Sequence, residues 1–210
     1  MVDNYQLKVD KMILTINESK VLRFLAVNTQ EKYSINECAK RCNISPYGVQ
    51  KIFMKFAKEG VLKVKNIGNM HAYFFDFDNE KTKRILELAF IPYSLGERIE
   101  LRKNDLAQLR DITQICVLFG SYITKKKDPN DFDVLMVLEE KYYPRYKKAL
   151  AVAQEIIPFK IHDVVQTMRD LEKNLKERDP VVLSALQKGI LLWGYSTLVK
   201  VIQRVARRET

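Results

Sequence analysis

The sequence predicts an α+β protein in two parts, and three observations support this. In the N-terminal third, apolar residues recur at helical spacing in three stretches. Two strand-like runs, Val61–Lys65 and Met70–Phe75, follow across a turn at Asn66–Asn69, which is a hairpin signal. Farther along, short apolar runs alternate with helical stretches, a pattern typical of a mixed sheet flanked by helices.

Each helix of the N-terminal part has a start signal. Asn17 opens the first apolar-periodic stretch. Ser34 and Glu37 have the spacing of a capping box and predict the second helix. Ser45-Pro46 supplies a side-chain cap and a proline at the first helical position of the third helix, which is predicted to end at Gly60.

Three helices followed by a β-hairpin, in this order, resemble the winged helix-turn-helix DNA-binding domain. The resemblance implies that the third helix enters the major groove of double-stranded DNA and that the hairpin lies along the backbone. The segment from Lys32 to Lys65 carries eight basic and two acidic residues, and lysines that meet phosphates make binding strongly salt-dependent. The expected contacts are Tyr47, Gln50, Lys51, Lys55, Lys58, Lys63 and Lys65. The alternative is a dimerisation or docking module whose lysines are a solvated surface.

Proline and polar residues mark the boundaries between the parts. Asp76 to Asn79 is a polar break, and a helix is predicted from Glu80 to about Phe90, before Pro92. The predicted organisation is therefore a winged-helix domain at 1–78, a helical linker at 79–94 and a second domain at 95–210. This second domain begins with a helix predicted from Leu95 to about Asp111, and its last helix is predicted at Thr197–Arg208.

Two neighbouring segments of the second domain predict a phosphate site. The apolar run Ile115–Phe119 leads into Gly120-Ser121, and Asp131 and Asp133 open a second apolar run. Side chains alternate along a strand, so both aspartates should point to one face. Paired carboxylates repel unless a cation lies between them, and magnesium takes carboxylate oxygens together with substrate phosphates. Glycine lets the backbone approach a phosphate closely.

The string FGSYITKKKDPNDFDVLMV resembles the polymerase-beta-like nucleotidyltransferase superfamily, in particular its minimal members. Its signature is an apolar residue, Gly-Ser, about a dozen variable residues and Asp-hydrophobic-Asp-hydrophobic. The resemblance implies that Gly120 and Ser121 hold a nucleoside triphosphate, with ATP the expected one, and that Asp131 and Asp133 bind Mg²⁺ (or Mn²⁺). It further implies a nucleotidyltransferase fold and a third carboxylate on a later strand, which binds metal and draws the proton from the attacking hydroxyl.

Asp163 is the predicted third catalytic acid. It lies in the short apolar run Phe159–Val165, after a predicted helix from Tyr142 to Ile156, and a buried strand has little other reason to contain an acid. A solvated cap is the alternative for Asp163, and Glu155, in the helix, is the weaker candidate. His162 is expected to sit behind the strand rather than to contact the substrate. Lys125 is predicted to neutralise phosphate charge, with a solvated loop as the alternative.

These features predict a metal-dependent nucleotidyltransferase that transfers NMP from an NTP to a hydroxyl acceptor. The alternative is a DNA-binding transcriptional regulator whose nucleotidyltransferase domain senses nucleotide or is inactive. A third hypothesis is an antitoxin-like protein that modifies a companion protein. The expected partners are nucleotide and double-stranded DNA, and a protein partner or homodimer is compatible with the same domains. A kinase or ATPase of the Walker type is not indicated, since the chain has no Gly-Lys-Ser/Thr loop.

Composition sets the remaining expectations. The chain has 210 residues, 47% of them hydrophobic and 30% charged, with a net charge of +10, which is enough for two small cores. No apolar run reaches the ~18 residues of a membrane span, and the N-terminus lacks the pattern of a secretion signal. Only three cysteines occur, which predicts a reducing compartment. The expectation is a cytoplasmic protein without membrane contact.

Overall fold

The computed structural model describes residues 14–68, 70–124 and 131–207. The chain is α+β, with a hairpin, a mixed sheet and many helices, so the predicted class is confirmed at this level. It divides into two compact units. The first contains the described residues up to Ala26 together with Lys32–Ala89, and the second contains Val27–Glu31 together with the described residues from Phe90 onward.

The first unit is built from short helices and one hairpin. In chain order its elements are α1 (Ile16–Val27), α2 (Ile35–Cys42), α3 (Pro46–Lys58), β1 (Leu62–Ile67), β2 (Met70–Phe75) and α4 (Glu80–Phe90), where the last residues of α1 and α4 belong to the second unit. The strands β1 and β2 pair antiparallel along their full length. Fully buried side chains of α1, α3 and the segment before β1 form its core, among them Leu22, Phe53, Phe56 and Val61.

The helix starts of this unit show how well capping patterns predict boundaries. The Ser34 and Glu37 capping box of α2 is confirmed, as is the Ser45 cap of α3 with proline at its start. The first helix is also present, within one residue of the predicted start, but its cap is Thr15 and not Asn17. The backbone N–H of Thr15 donates to Glu18 Oε2 at 2.7 Å, and the N–H of Glu18 donates to Thr15 Oγ1 at 3.2 Å. A second capping box therefore starts α1 at Ile16.

The second unit contains the central sheet and the helices that cover it. Its elements are α5 (Glu97–Asp105), β3 (Ile115–Phe119), β4 (Asp131–Val137), α6 (Tyr143–Ile156), β5 (Lys160–Gln166), α7 (Met168–Lys176), α8 (Pro180–Lys188), β6 (Ile190–Trp193) and α9 (Tyr195–Arg207). The helix predicted from Leu95 to Asp111 is shorter than expected. It ends at Asp105 and a short 3₁₀ turn follows, which buries both Leu106 and Leu109.

The sheet has the strand order β5-β4-β3-β6, with β4 and β5 parallel and the other pairs antiparallel. One face packs on α6, where Leu118, Phe132 and Val134 share a core with Tyr146 and Leu150. The other face is covered by α7, which contacts β5, and by α8 and α9, which contact β3. Because β3 and β4 are buried over most of their length, the polar residues at their ends stand out as candidates for function.

Within the described part of the chain, the longest apolar helices fall short of what a bilayer crossing requires.

Candidate functional site

The two aspartates of β4 lie on the same face of the sheet, at its N-terminal end. On the parallel strand β5, Asp131 is paired with Lys160 and Asp133 with His162. Paired residues on neighbouring strands point to the same face, so two carboxylates, an imidazole and an ammonium group come together there. Asp133 also pairs with Phe119, the last residue of β3. The turn that follows β3 is therefore next to the acid pair.

Gly120 begins this turn in a conformation that only glycine adopts easily, with φ of +75°. A Cβ at this position would lie 2.8 Å from Asp133 Cγ and closer still to Asp133 Oδ2. The carboxylate thus rests directly against the glycine backbone. Ser121 opens a short 3₁₀ turn, which is closed by Thr124, whose hydroxyl donates to the Ser121 carbonyl at 2.7 Å. The structure therefore joins Gly120, Ser121, Asp131 and Asp133 into one site.

Asp163 does not join this site. It pairs with Val134, one position out of phase with the aspartates, so its side chain lies on the opposite face of the sheet. There Asp163 Oδ2 accepts a hydrogen bond of 3.0 Å from the hydroxyl of Tyr146 and lies 3.8 Å from Lys147 Nζ. The prediction that Asp163 shares a metal with Asp131 and Asp133 disagrees with this strand register. The weaker candidate, Glu155, is an exposed residue of α6.

His162 occupies the place that sequence reasoning gave to the third acid. Its Nε2 is 3.8 Å from Asp131 Oδ1 and its Nδ1 is 3.7 Å from Asp133 Oδ1, and the side chain is 45% exposed. The expectation that His162 sits behind the strand was wrong. It followed from the assumption that Asp163 faces the acid pair, which would turn the neighbouring His162 to the other face, whereas the register pairs His162 with Asp133. Lys160, which sequence reasoning missed, is on the same face. If side chains are assigned to faces by alternation, with Asp163 at the site, His162 and Lys160 fall on the wrong face. Their position at the site follows only from the pairing between β4 and β5.

The acid pair is electrostatically unfavourable when empty. Burial raises the pKa of the Asp133 carboxyl above its usual range, and although the nearby His162 opposes this shift, the charge of Asp131 adds to it. Desolvation and a neighbouring like charge both disfavour the ionised form. A bound cation would favour it. The site is thus arranged to gain affinity for a positive ion once it is deprotonated.

Replacing Asp133 with asparagine is expected to raise the melting temperature by a few degrees at pH 7, since it removes this disfavoured charge. The pKa of Asp133 is higher in the folded chain than in the unfolded chain. The ionised carboxyl therefore destabilises the folded state fully at pH values above the folded pKa, and this destabilisation vanishes at pH values below the unfolded pKa. The gain should therefore disappear near pH ~3. Thermal unfolding at both pH values measures it, and Asp131→Asn, which removes only the smaller contribution of the neighbouring charge, should gain less. A lower melting temperature of Asp133→Asn at pH 7 would contradict the assignment.

The carboxylates of the site suit a magnesium ion that arrives with a nucleotide. Among residues 14–68, 70–124 and 131–207, no group of three or more His, Cys, Asp or Glu side chains is arranged to hold a metal ion. A magnesium ion that binds with a nucleotide needs only one or two carboxylates, because phosphates and waters complete its shell. Asp131 and Asp133 fit that smaller requirement. They do not form a site that would retain a cation by protein ligands alone.

A further cation among the described residues lies near the Gly-Ser turn. Lys125, the predicted phosphate contact, lies outside the described residues. Arg98 of α5, which sequence reasoning missed, stacks over the ring of Tyr122 with its Cζ 4.0 Å from the ring centroid. Tyr122 is fixed by edge contacts to Phe132 and Phe159. Because Tyr122 directly follows Ser121, the stack holds an exposed guanidinium close to the Gly-Ser turn.

The second candidate surface is the outer face of α3 with strand β1. Tyr47, Gln50, Lys51 and Lys58 are exposed on α3, and Lys65 is exposed on β1. Lys51 Nζ lies 4.5 Å from the centroid of the Tyr47 ring, a cation–π arrangement. These predicted contact residues are therefore accessible, as an interface with nucleic acid requires.

Two of the predicted contacts are engaged within the protein. Lys55 Nζ lies 2.7 Å from Glu18 Oε1, and Lys63 Nζ lies 2.9 Å from Asp76 Oδ1. A lysine already paired with a carboxylate offers little net charge to a phosphate, so the assignment of Lys55, half-buried beside Glu18, is the weakest of the set. Met54, which is 60% exposed between Lys51 and Lys58, was missed. Its spacing along α3 is the signal that could have found it.

Comparison with known proteins shows the family to which the chain belongs. Residues 54–179 match the model of a family of unknown function, DUF6932. The match covers more than half of the chain, and the chain is a member of that family. It includes Gly120, Ser121, Asp131, Asp133 and His162. Neither the curated proteins nor the solved structures gave a significant match.

Proposed function

We propose that the chain is a metal-dependent nucleotidyltransferase, which transfers NMP from an NTP to a hydroxyl acceptor. Its second unit is then a nucleotidyltransferase fold, and its first unit a winged helix that contacts duplex DNA. The observation that carries the proposal is the packing of the Asp133 carboxylate against the Gly120 backbone. It brings a turn suited to phosphate and a carboxylate pair suited to a cation into a single site.

Each residue of the site has a role in this proposal. Asp131 and Asp133 would hold Mg²⁺ or Mn²⁺ together with the phosphates of the nucleotide, ATP being the expected one. The bound ion would supply charge stabilisation at the phosphoryl oxygens. The Gly120-Ser121 turn would donate hydrogen bonds to the triphosphate. Lys160, exposed on the face of the acid pair, adds positive charge for the same anion.

Release of pyrophosphate tests the transferase. The full chain is incubated with Mg²⁺, ATP labelled at the α-phosphate and a panel of hydroxyl acceptors that includes nucleic-acid ends, protein hydroxyls and small alcohols. Labelled acceptor and an equal amount of pyrophosphate are expected from the wild type, and neither from Asp131→Asn/Asp133→Asn. Binding of ATP without either product across the panel would contradict transfer.

A second candidate is a DNA-binding regulator that senses nucleotide without turnover. The position of Asp163 favours it, because the family mechanism uses a third carboxylate and Asp163 points to the opposite face, toward Tyr146. In such a regulator the same acid pair binds metal and nucleotide, and bound nucleotide changes the affinity of the first unit for DNA. Measuring DNA affinity with and without Mg²⁺-ATP distinguishes the regulator from the transferase, since only the regulator requires the DNA affinity to change when nucleotide binds.

Nucleic-acid contact by the first unit is tested with paired lysine variants. Lys51→Ala/Lys58→Ala is expected to weaken binding to duplex DNA and to lower the slope of log affinity against log salt by ~2. Lys55→Ala should leave this slope nearly unchanged and reduce stability instead, because Glu18 loses its partner. Fluorescence anisotropy across a salt series measures both. Equal slopes for Lys51→Ala/Lys58→Ala and wild type would remove the DNA proposal.

A further inference from the structure

A charged cleft of about 700 Å³ lies in the second unit at the far end of the sheet from the acid pair. Gln114, at its wall, immediately precedes β3, and its N–H donates to the carbonyl of Val137 at the C-terminal end of β4. Asp131 is the first residue of β4, six residues away, a separation of ~20 Å along a strand. The lining residues are Gln114, Met168, Arg169, Glu172, Lys173, Lys176, Glu177 and Arg204.

Cations outnumber carboxylates in this lining by four to two. Glu172 Oε1 is 2.7 Å from Arg204 Nε, and Lys173 Nζ is 3.9 Å from Glu177 Oε1. In contrast, neither Arg169 nor Lys176 forms an ion pair with any residue that the structure describes. The acids of the cleft are thus already engaged, and two cations remain for a ligand.

The wall of the cleft also contains an amide whose oxygen lacks a partner. Gln114 is half-buried, and its side-chain Oε1 is buried without a hydrogen-bond partner within the described part of the chain. Such groups are costly to leave unsatisfied. Rotation of the side chain exchanges the two ends of the amide and can turn its NH₂ group toward the cleft. Gln114 can then donate to the oxygens of a bound molecule.

We propose that this cleft binds a small molecule carrying two or more phosphate groups. Its volume is in the range of small-molecule sites, and its unpaired charge is positive. Arg169 and Lys176 are separated by seven residues of α7, or ~10.5 Å along the helix. A chain of phosphates can contact both, whereas one phosphate ion is small for that span. Guanidinium groups additionally bind phosphate oxygens in a bidentate way.

Calorimetric titration with tripolyphosphate tests the proposal. The full chain is titrated in the presence of EDTA, so that the acid pair cannot recruit a metal. Arg169→Gln/Lys176→Gln is expected to raise the Kd about 10-fold or more, since each lost contact is a charge-assisted hydrogen bond. Arg145→Gln/Lys148→Gln, which removes the same two residue types from the exposed surface of α6, should change it less than about 2-fold. Thermal unfolding confirms that both variants fold.

Three outcomes would overturn the proposal. They are equal losses in the two double variants, no binding of tripolyphosphate by the wild type, and binding at the cleft of a single-stranded oligonucleotide but not of tripolyphosphate. Inorganic phosphate serves as the comparison ligand. The proposal requires it to bind more weakly than tripolyphosphate and to be less sensitive to Arg169→Gln/Lys176→Gln. Because no metal is present, these results do not depend on the nucleotidyltransferase proposal.

Discussion

Asp131→Asn/Asp133→Asn is expected to lower the affinity for Mg²⁺-ATP by about 100-fold or more. The two carboxylates face the same side of β4, and Asp133 rests against Gly120. A hydrogen bond to a charged group contributes ~1.5–3 kcal/mol. Taking a contact between a carboxylate and a divalent cation as at least equally strong, the loss of two corresponds to at least two orders of magnitude. Isothermal titration calorimetry with and without Mg²⁺ measures the metal-dependent part of the affinity.

Asp163→Asn is the matched control for this prediction. It removes the same charge from the neighbouring strand, but on the face that carries Tyr146. Its affinity for Mg²⁺-ATP is expected to stay within about 3-fold of the wild type, since it loses no ligand to the site. If Asp163→Asn were as defective as the double variant, the strand register would be an incorrect guide and the three-acid arrangement would be restored.

Gly120→Ala is expected to destabilise the second unit and to weaken nucleotide binding. The backbone of Gly120, with φ of +75° and ψ of −153°, lies in a region that essentially only glycine adopts, and it costs another residue ~1–3 kcal/mol. The larger effect is steric, because the added methyl group would overlap the Asp133 carboxylate and displace it. The Mg²⁺-ATP affinity should fall about as far as it does when the Asp133 carboxylate itself is removed, although the carboxylate is still present. Calorimetric titration with Mg²⁺-ATP measures the affinity, and thermal unfolding measures the stability.

Gly68→Ala, in the hairpin of the first unit, measures the stability cost of a positive φ by itself. Gly68 has a φ of +56°, but a Cβ there would have no atom within 4 Å. We expect this variant to lose some stability with no change in nucleotide affinity, and its loss indicates how much of the destabilisation in Gly120→Ala comes from the backbone. Retention of full binding in Gly120→Ala would show that the contact between Gly120 and Asp133 has no part in the site.

Local patterns in the sequence predicted much of this fold. The caps at Ser34 and Ser45 and the order of helices and hairpin follow from interactions within a few residues, which a sequence displays directly. The Gly-Ser turn and the pair Asp131 and Asp133 were likewise found from spacing along one segment. The cap of α1 was missed because Thr15 and Glu18 lie just before the apolar pattern begins.

The rest of the site depends on how separate strands align. Whether Asp163 or His162 faces Asp133 is decided by a register of one residue between β4 and β5, and a shift of one reverses every side chain. Neither residue type nor hydrophobic alternation fixes that register, since both faces of β5 are partly polar. The stack of Arg98 on Tyr122 and the pair of Lys55 with Glu18 join residues far apart in sequence. They too required the tertiary structure.

The assignment of the site can be tested by a crystal structure of the chain with Mn²⁺ and a non-hydrolysable ATP analogue. We expect an anomalous manganese peak in contact with the carboxylates of Asp131 and Asp133, and triphosphate density over the backbone of Gly120 and Ser121. A manganese peak coordinated by Asp163, or a nucleotide bound away from the Gly-Ser turn, would contradict it.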